Sequence, residues 1–134
     1  MNRIVPKPRT ALRWLAAIVF VAAGINHFIE PAFYRRIVPP GFPSPSALVA
    51  ISGIFEIMGG LGLLVRPLRR IAGWGLIALL IAVFPANIYM AVDPQRSADS
   101  TIPMWILWIR LPVQGVIIAW VWWVALRRDR EQTC

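Results

Sequence analysis

Long apolar runs alternate with short polar or proline-rich segments along this chain. Four runs, residues 11–29, 46–65, 71–92 and 104–126, hold few charged side chains. A hydrocarbon core of ~30 Å takes about 20 mostly apolar residues of helix to cross. The pattern therefore predicts an all-α integral membrane protein, a bundle of four transmembrane helices. Residues 1–10 form a basic tail before it and residues 127–134 a second tail after it.

Within the runs, small and aromatic residues recur at helical spacing. Ala78, Ala82 and Ala86, preceded by Gly75, make a small-residue stripe on one face of the third span, and Gly53, Gly59, Gly60 and Gly62 offer close-approach points on the second. Both are read as packing contacts. Trp105, Trp108, Trp120, Trp122 and Trp123 gather towards the two ends of the fourth span, as an interfacial belt requires. Pro85 and Pro112 lie inside spans, where each removes a backbone donor and frees the carbonyls of Ile81 and Trp108. A bend or a lost hydrogen bond is expected at each.

Composition agrees with lipid as the solvent: 58% of the 134 residues are hydrophobic. The formal charge of +8 would fit nucleic acid, but the arginines fall in short clusters between apolar runs and not along one polar face. No nucleic-acid partner is expected. Arg3, Lys7, Arg9 and Arg13 flank the first span, Arg66, Arg69 and Arg70 lie between the second and third, and Arg127, Arg128 and Arg130 follow the fourth. The other two loops hold only Arg35, Arg36 and Arg96, the last near Asp93 and Asp99. Positive charge is retained in the cytoplasm, so both termini are placed inside, in a bacterial inner membrane. A cleaved signal peptide is the alternative for the first run, disfavoured by its length. The single cysteine, Cys134, leaves no internal disulfide, CxxC pair or cysteine-rich metal site.

Candidate chemistry comes from polar side chains within the spans. Intramembrane ionisable groups cost a few kcal/mol and normally face the bundle interior beside a partner. Glu56 and Arg110 are two such groups, joined by Asn26, His27, Ser52, Asn87, Tyr89 and Gln114. Ser52 shares a helix face with Glu56, and Arg110 with Gln114, each pair being four residues apart. A rise of ~1.5 Å per residue puts Glu56 and Gln114 ~15 Å below the outer surface, Arg110 and Asn87 ~8–9 Å, and His27 ~5 Å. Four helices thus deliver polar groups to the outer half, and the inner half receives none. Two readings follow: an outward-opening pocket, or a structural Glu56–Arg110 pair that only sets helix register. In both, the two charges are expected to meet directly or through Asn87 or Gln114. His27 is the only histidine, with Glu30 as the nearby group that could orient it, and no bound metal is expected.

The first outer loop, PAFYRRIVPPGFPSPS, starts amphipathic and continues through Pro39, Pro40, Pro43 and Pro45, which precludes a long helix. It reads either as an interfacial linker or as a lid over the bundle, the linker being the plainer choice.

The segments AGINHF, FYRRIVPP, SGIFEIMGGLGLL and VFPANIYMAVDP, in this order, resemble the DoxX-like family of small bacterial membrane proteins. The resemblance covers nearly the whole chain beyond the N-terminal tail. It implies a four-helix membrane bundle and a link to respiratory quinones and redox or sulfur metabolism, since the family is named after a subunit associated with thiosulfate:quinone oxidoreductase. By position it singles out His27, Glu56, Asn87, Arg110 and Gln114 as ligand-binding candidates; Asn26, Ser52 and Tyr89 are secondary candidates from the polar pattern alone. A cysteine facing the outer side, as in thiol-redox relatives, is missing here. The expected function is a quinone-binding or redox-associated accessory subunit, with a membrane quinone as the one cofactor considered. No haem-type or iron–sulfur ligand set is visible, so such a subunit needs a redox or periplasmic protein partner. The alternatives are a non-enzymatic assembly or scaffold subunit, and a small proton-coupled carrier acting as a homodimer with Glu56 as the protonation site.

Overall fold

A computed structural model describes residues 7–97 and 101–127. Arg3, Asp99, Arg128, Arg130 and Cys134 lie outside the described residues, as do most of the two tails. Every long element is helical: α1 (Pro8–Ile29), α3 (Pro45–Leu64), α4 (Arg69–Val92) and α6 (Met104–Val121), the last continued by a π-helical turn at Trp122–Leu126. Two short helices lie in the connections, α2 (Pro31–Ile37) and α5 (Pro94–Ser97). All four long helices are long and apolar enough to cross a membrane. Their outward faces carry large apolar side chains, among them Ile18, Ile71, Ile81 and Val116, all at least 60% exposed. Water-soluble monomers rarely leave apolar surface uncovered on this scale.

Proline sets several of the helix starts. Pro8, Pro31 and Pro45 each occupy the first helical position, where the missing N–H costs nothing and φ is already helical. Pro85 and Pro112 lie inside α4 and α6, which run on as helices through both positions.

The long helices pack in chain order, α1 on α3, α3 on α4 and α4 on α6, and α1 meets the π turn. Glycine permits the closest of these contacts. A Cβ on Gly24 would lie 2.6 Å from the Gly53 carbonyl, and one on Gly60 2.9 Å from the Ala17 carbonyl, so α1 and α3 touch backbone to backbone. Gly59 and Gly62 instead receive the side chains of Leu76 and Ala72 of α4. The α4 stripe behaves differently from expectation: Gly75 and Ala78 are exposed, and nothing lies within 4 Å of a Cβ on Gly75. Only its far end is used within this chain, Ala86 packing on the second apolar cluster and Ala82 lining a cavity, because α4 turns Gly73, Leu76, Ile77 and Leu80 inward along its first half.

The core is in two parts. Ala16, Phe20, Leu63, Leu76, Val121 and Val124 belong to one cluster, and Ile37, Met90, Ala91 and Leu107 form the other, against Phe33 and Tyr34 of α2. Charge closes the first end. Arg13, expected as a flank residue, is buried inside the bundle with its Nε donating to the Val124 carbonyl at 3.0 Å. Arg9 donates to the Arg127 carbonyl and lies 6.0 Å over the Trp123 ring. Cations thus meet the carbonyl-rich end of the last helix, where they are favoured. The half of the bundle expected to hold no polar group therefore holds Arg13.

Candidate functional site

Between the two apolar clusters lies a cavity of about 500 Å³. Each long helix supplies part of its wall, with His27 from α1, Ser52 and Glu56 from α3, Asn87 from α4, and Arg110 and Gln114 from α6. All five principal candidates and Ser52 therefore share one chamber. The remaining lining is largely apolar, including Phe20, Ala23, Val49, Leu79, Val83 and Ile117. Asn26 and Tyr89 are not among the lining residues; Asn26 instead donates to the Tyr34 hydroxyl at 2.9 Å.

The polar groups form two separate sets. On the α1/α3 side, His27 Nδ1 lies 2.9 Å from the Ala23 carbonyl and 3.3 Å from Glu56 Oε2. A carbonyl oxygen only accepts, so the first contact requires the proton on Nδ1. That proton is already directed to Ala23, and Glu56 Oε2 is buried without a hydrogen-bond donor. Close α1–α3 packing explains the pairing: a Cβ on Gly53 would stand 2.9 Å from His27 Cβ, one turn before Glu56.

On the α4/α6 side, donors and acceptors run in one direction. Arg110 donates to Asn87 Oδ1 at 3.3 Å, Asn87 Nδ2 to Gln114 Oε1 at 2.6 Å, and Gln114 Nε2 to the Leu80 carbonyl. Gln114 is only 4% exposed, so each of its bonds replaces one to water. The Leu80 carbonyl is the neighbour of the Ile81 carbonyl that Pro85 leaves without its helical donor. Arg110 also reaches the Met90 sulfur at 3.4 Å, and among the described residues it forms no ion pair.

The expected Glu56–Arg110 pair is therefore not formed. Glu56 meets His27, Arg110 meets Asn87 and Met90, and no hydrogen bond joins the two sets. The reason is helix order: α3 lies against α1 on one side, whereas α4 stands between α3 and α6. Glu30 does not orient the histidine either; the Ala23 carbonyl does.

The proline-rich segment between α1 and α3 is more than a linker. Helix α2 brings Tyr34 onto His27, with ring centroids 3.8 Å apart and planes inclined by 22°. Ile37, Val38, Pro39 and Phe42 continue this wall of the cavity, past a turn at Gly41 with a φ of 103° that favours glycine. Tyr34 was not legible as a site residue, since a tyrosine in an amphipathic loop segment resembles any interfacial aromatic. Among the described residues no group of three histidine, cysteine, aspartate or glutamate side chains converges as a metal site would require.

The family described as Domain of unknown function (DUF8561) matches residues 15–125, a span holding every lining residue of the cavity. The chain belongs to this family. No curated protein and no solved structure matches it. The description assigns the DUF8561 family no activity, so function rests on the cavity itself.

Proposed function

We propose that this protein is a DoxX-like multi-pass protein of the bacterial inner membrane, with both termini in the cytoplasm, that binds the ring headgroup of a membrane quinone. One observation carries the reading: polar side chains from four helices meet in a mostly apolar cavity of about 500 Å³. That size and lining are typical of sites for small amphipathic molecules. Aromatic side chains already stack at its edge, where Tyr34 lies on His27. The isoprenoid tail leaves towards lipid past Val19 and Val113, which line the cavity and are also more than 40% exposed. The arginine distribution along the loops supports the orientation.

This chain acts as an accessory subunit. Electron transfer to or from the bound ring falls to a redox partner, and the described residues supply binding, orientation and water exclusion. A purely structural role for the polar groups is less well supported, because a register-setting charge pair would satisfy both charges, and Glu56 Oε2 is left without a donor.

Purification in mild detergent followed by solvent extraction tests the proposal. The extract is expected to show the ultraviolet oxidised-minus-reduced difference of a quinone, approaching one per chain and depleted in an Arg110→Leu variant that still elutes as a folded species. Extracts without quinone from folded wild-type protein would overturn it and leave an assembly subunit as the better reading.

A further inference from the structure

A second recess lies on the outward edge of α2. Ala32, Arg35 and Arg36 of α2 form one side of it, and Pro45 and Ser46 in the first turn of α3 form the other. It is open, at about 810 Å³, and shares no lining residue with the chamber. Successive residues of a helix point about 100° apart, so neighbouring arginines ordinarily diverge. Here both border one recess. Among the described residues, neither guanidinium forms a hydrogen bond or an ion pair, with Glu30 at the start of α2 or with any other group. Retention of positive charge in the cytoplasm does not account for them, since they lie in a connection placed outside, and the outer connections hold only these two and Arg96.

The surface beside the recess is apolar. Ala50 and Gly53 continue the Ser46 face of α3 deeper into the bundle. Phe28 packs on that face, its ring 2.8 Å from the place of a Cβ on Gly53, and stays 49% exposed. Unpaired cations at one level and uncovered apolar surface at the next match a phospholipid, with its phosphate at the guanidinium groups and an acyl chain along Phe28. Guanidinium groups take phosphate oxygens through paired N–H bonds. We infer that Arg35, Arg36 and the Ser46 hydroxyl hold the phosphodiester of an anionic phospholipid between α2 and α3. A choline or ethanolamine headgroup brings a further cation against the two arginines, so phosphatidylglycerol is the preferred class. The inference rests on the membrane placement proposed above and is independent of what occupies the chamber.

Native mass spectrometry of the full-length protein in mild detergent tests it, by titration with phosphatidylglycerol or with phosphatidylcholine of the same acyl chains. Phosphatidylglycerol should bind the wild type about fivefold tighter or more. Arg35→Gln with Arg36→Gln should lose that preference, whereas Arg66→Gln with Arg70→Gln, the same change of charge between α3 and α4, should keep it. Arg35→Lys with Arg36→Lys, which keeps the charge without the planar fork, should retain the preference in part and guards against loss of fold in the glutamine pair. Equal loss in both glutamine pairs, or no preference in the wild type, would overturn the inference. Displacement of the lipid by millimolar inorganic phosphate would also overturn it, in favour of a site for free phosphate. Wild-type protein recovered outside the membrane fraction would instead overturn the placement, and a wild type that prefers phosphatidylglycerol but carries no quinone would overturn only the reading of the chamber.

Discussion

Glu56 and Arg110 line one cavity, yet each answers to a different neighbour. Glu56 approaches His27, and Arg110 is held by Asn87, itself fixed through Gln114 to a backbone carbonyl. Residues without shared partners contribute additively to stability, usually within about 0.5 kcal/mol. A double-mutant cycle between Glu56→Leu and Arg110→Leu, read by thermal or denaturant unfolding in detergent, should therefore return a coupling below about 0.5 kcal/mol. Gln114→Leu should cost more than Glu56→Leu, since it strands Asn87 Nδ2 at about 1–3 kcal/mol for a buried unsatisfied group, whereas Glu56 Oε2 has no donor to lose. Strong Glu56–Arg110 coupling would restore the register-setting pair. The sequence made the height of these residues along their helices legible, because helical rise is fixed at ~1.5 Å per residue. Their partners were not legible, because rise says nothing of which helix stands beside which, and that order decides whether Glu56 faces His27 or Arg110.

Among the elements, the α1–α3 contact governs the site. It brings Glu56 to His27, and it depends on glycines whose missing Cβ atoms allow the two backbones to touch. Gly24→Ala should destabilise the protein by about 1–3 kcal/mol, since its methyl would lie against a backbone carbonyl that cannot move independently of α3. Gly75→Ala should be neutral or stabilising by up to ~1 kcal/mol, because the position is open and alanine is the better helix former. Unfolding midpoints of the two variants check this directly, and an equal loss for both would contradict it. The four long helices were legible from apolar run length to within three residues at each end, with the π turn counted as the end of the fourth. Use of their faces was legible only in part. The glycines of α3 pack as their spacing implies, but the first half of the small-residue stripe of α4, Gly75 and Ala78, is exposed and only Ala82 and Ala86 face the cavity. Spacing marks a face without naming what it touches. Helix α2 was hidden for a related reason: seven residues give too little periodicity to show that Tyr34 and Ile37 turn inward and form a wall.

At the scale of the whole molecule, a closed end and a chambered end divide the bundle. At the first, Arg9 and Arg13 of α1 tie to the end of the last helix over a tightly packed apolar cluster. At the other, the helices enclose the cavity beneath α2 and the Phe42 segment. A quinone-binding chamber with His27 and Glu56 on one wall, Arg110, Asn87 and Gln114 on the other and apolar sides opening towards lipid is the central claim. Photolabelling tests it most directly: the purified protein, held in lipid nanodiscs, is irradiated with an azido-substituted quinone and its adducts are mapped by mass spectrometry. The expected adducts fall within residues 19–27, 48–56, 79–87 and 110–117, and an excess of unlabelled quinone competes them away. Labels confined to outward-facing positions such as Ile18, Ile71 or Val116, undiminished by competitor, would contradict it.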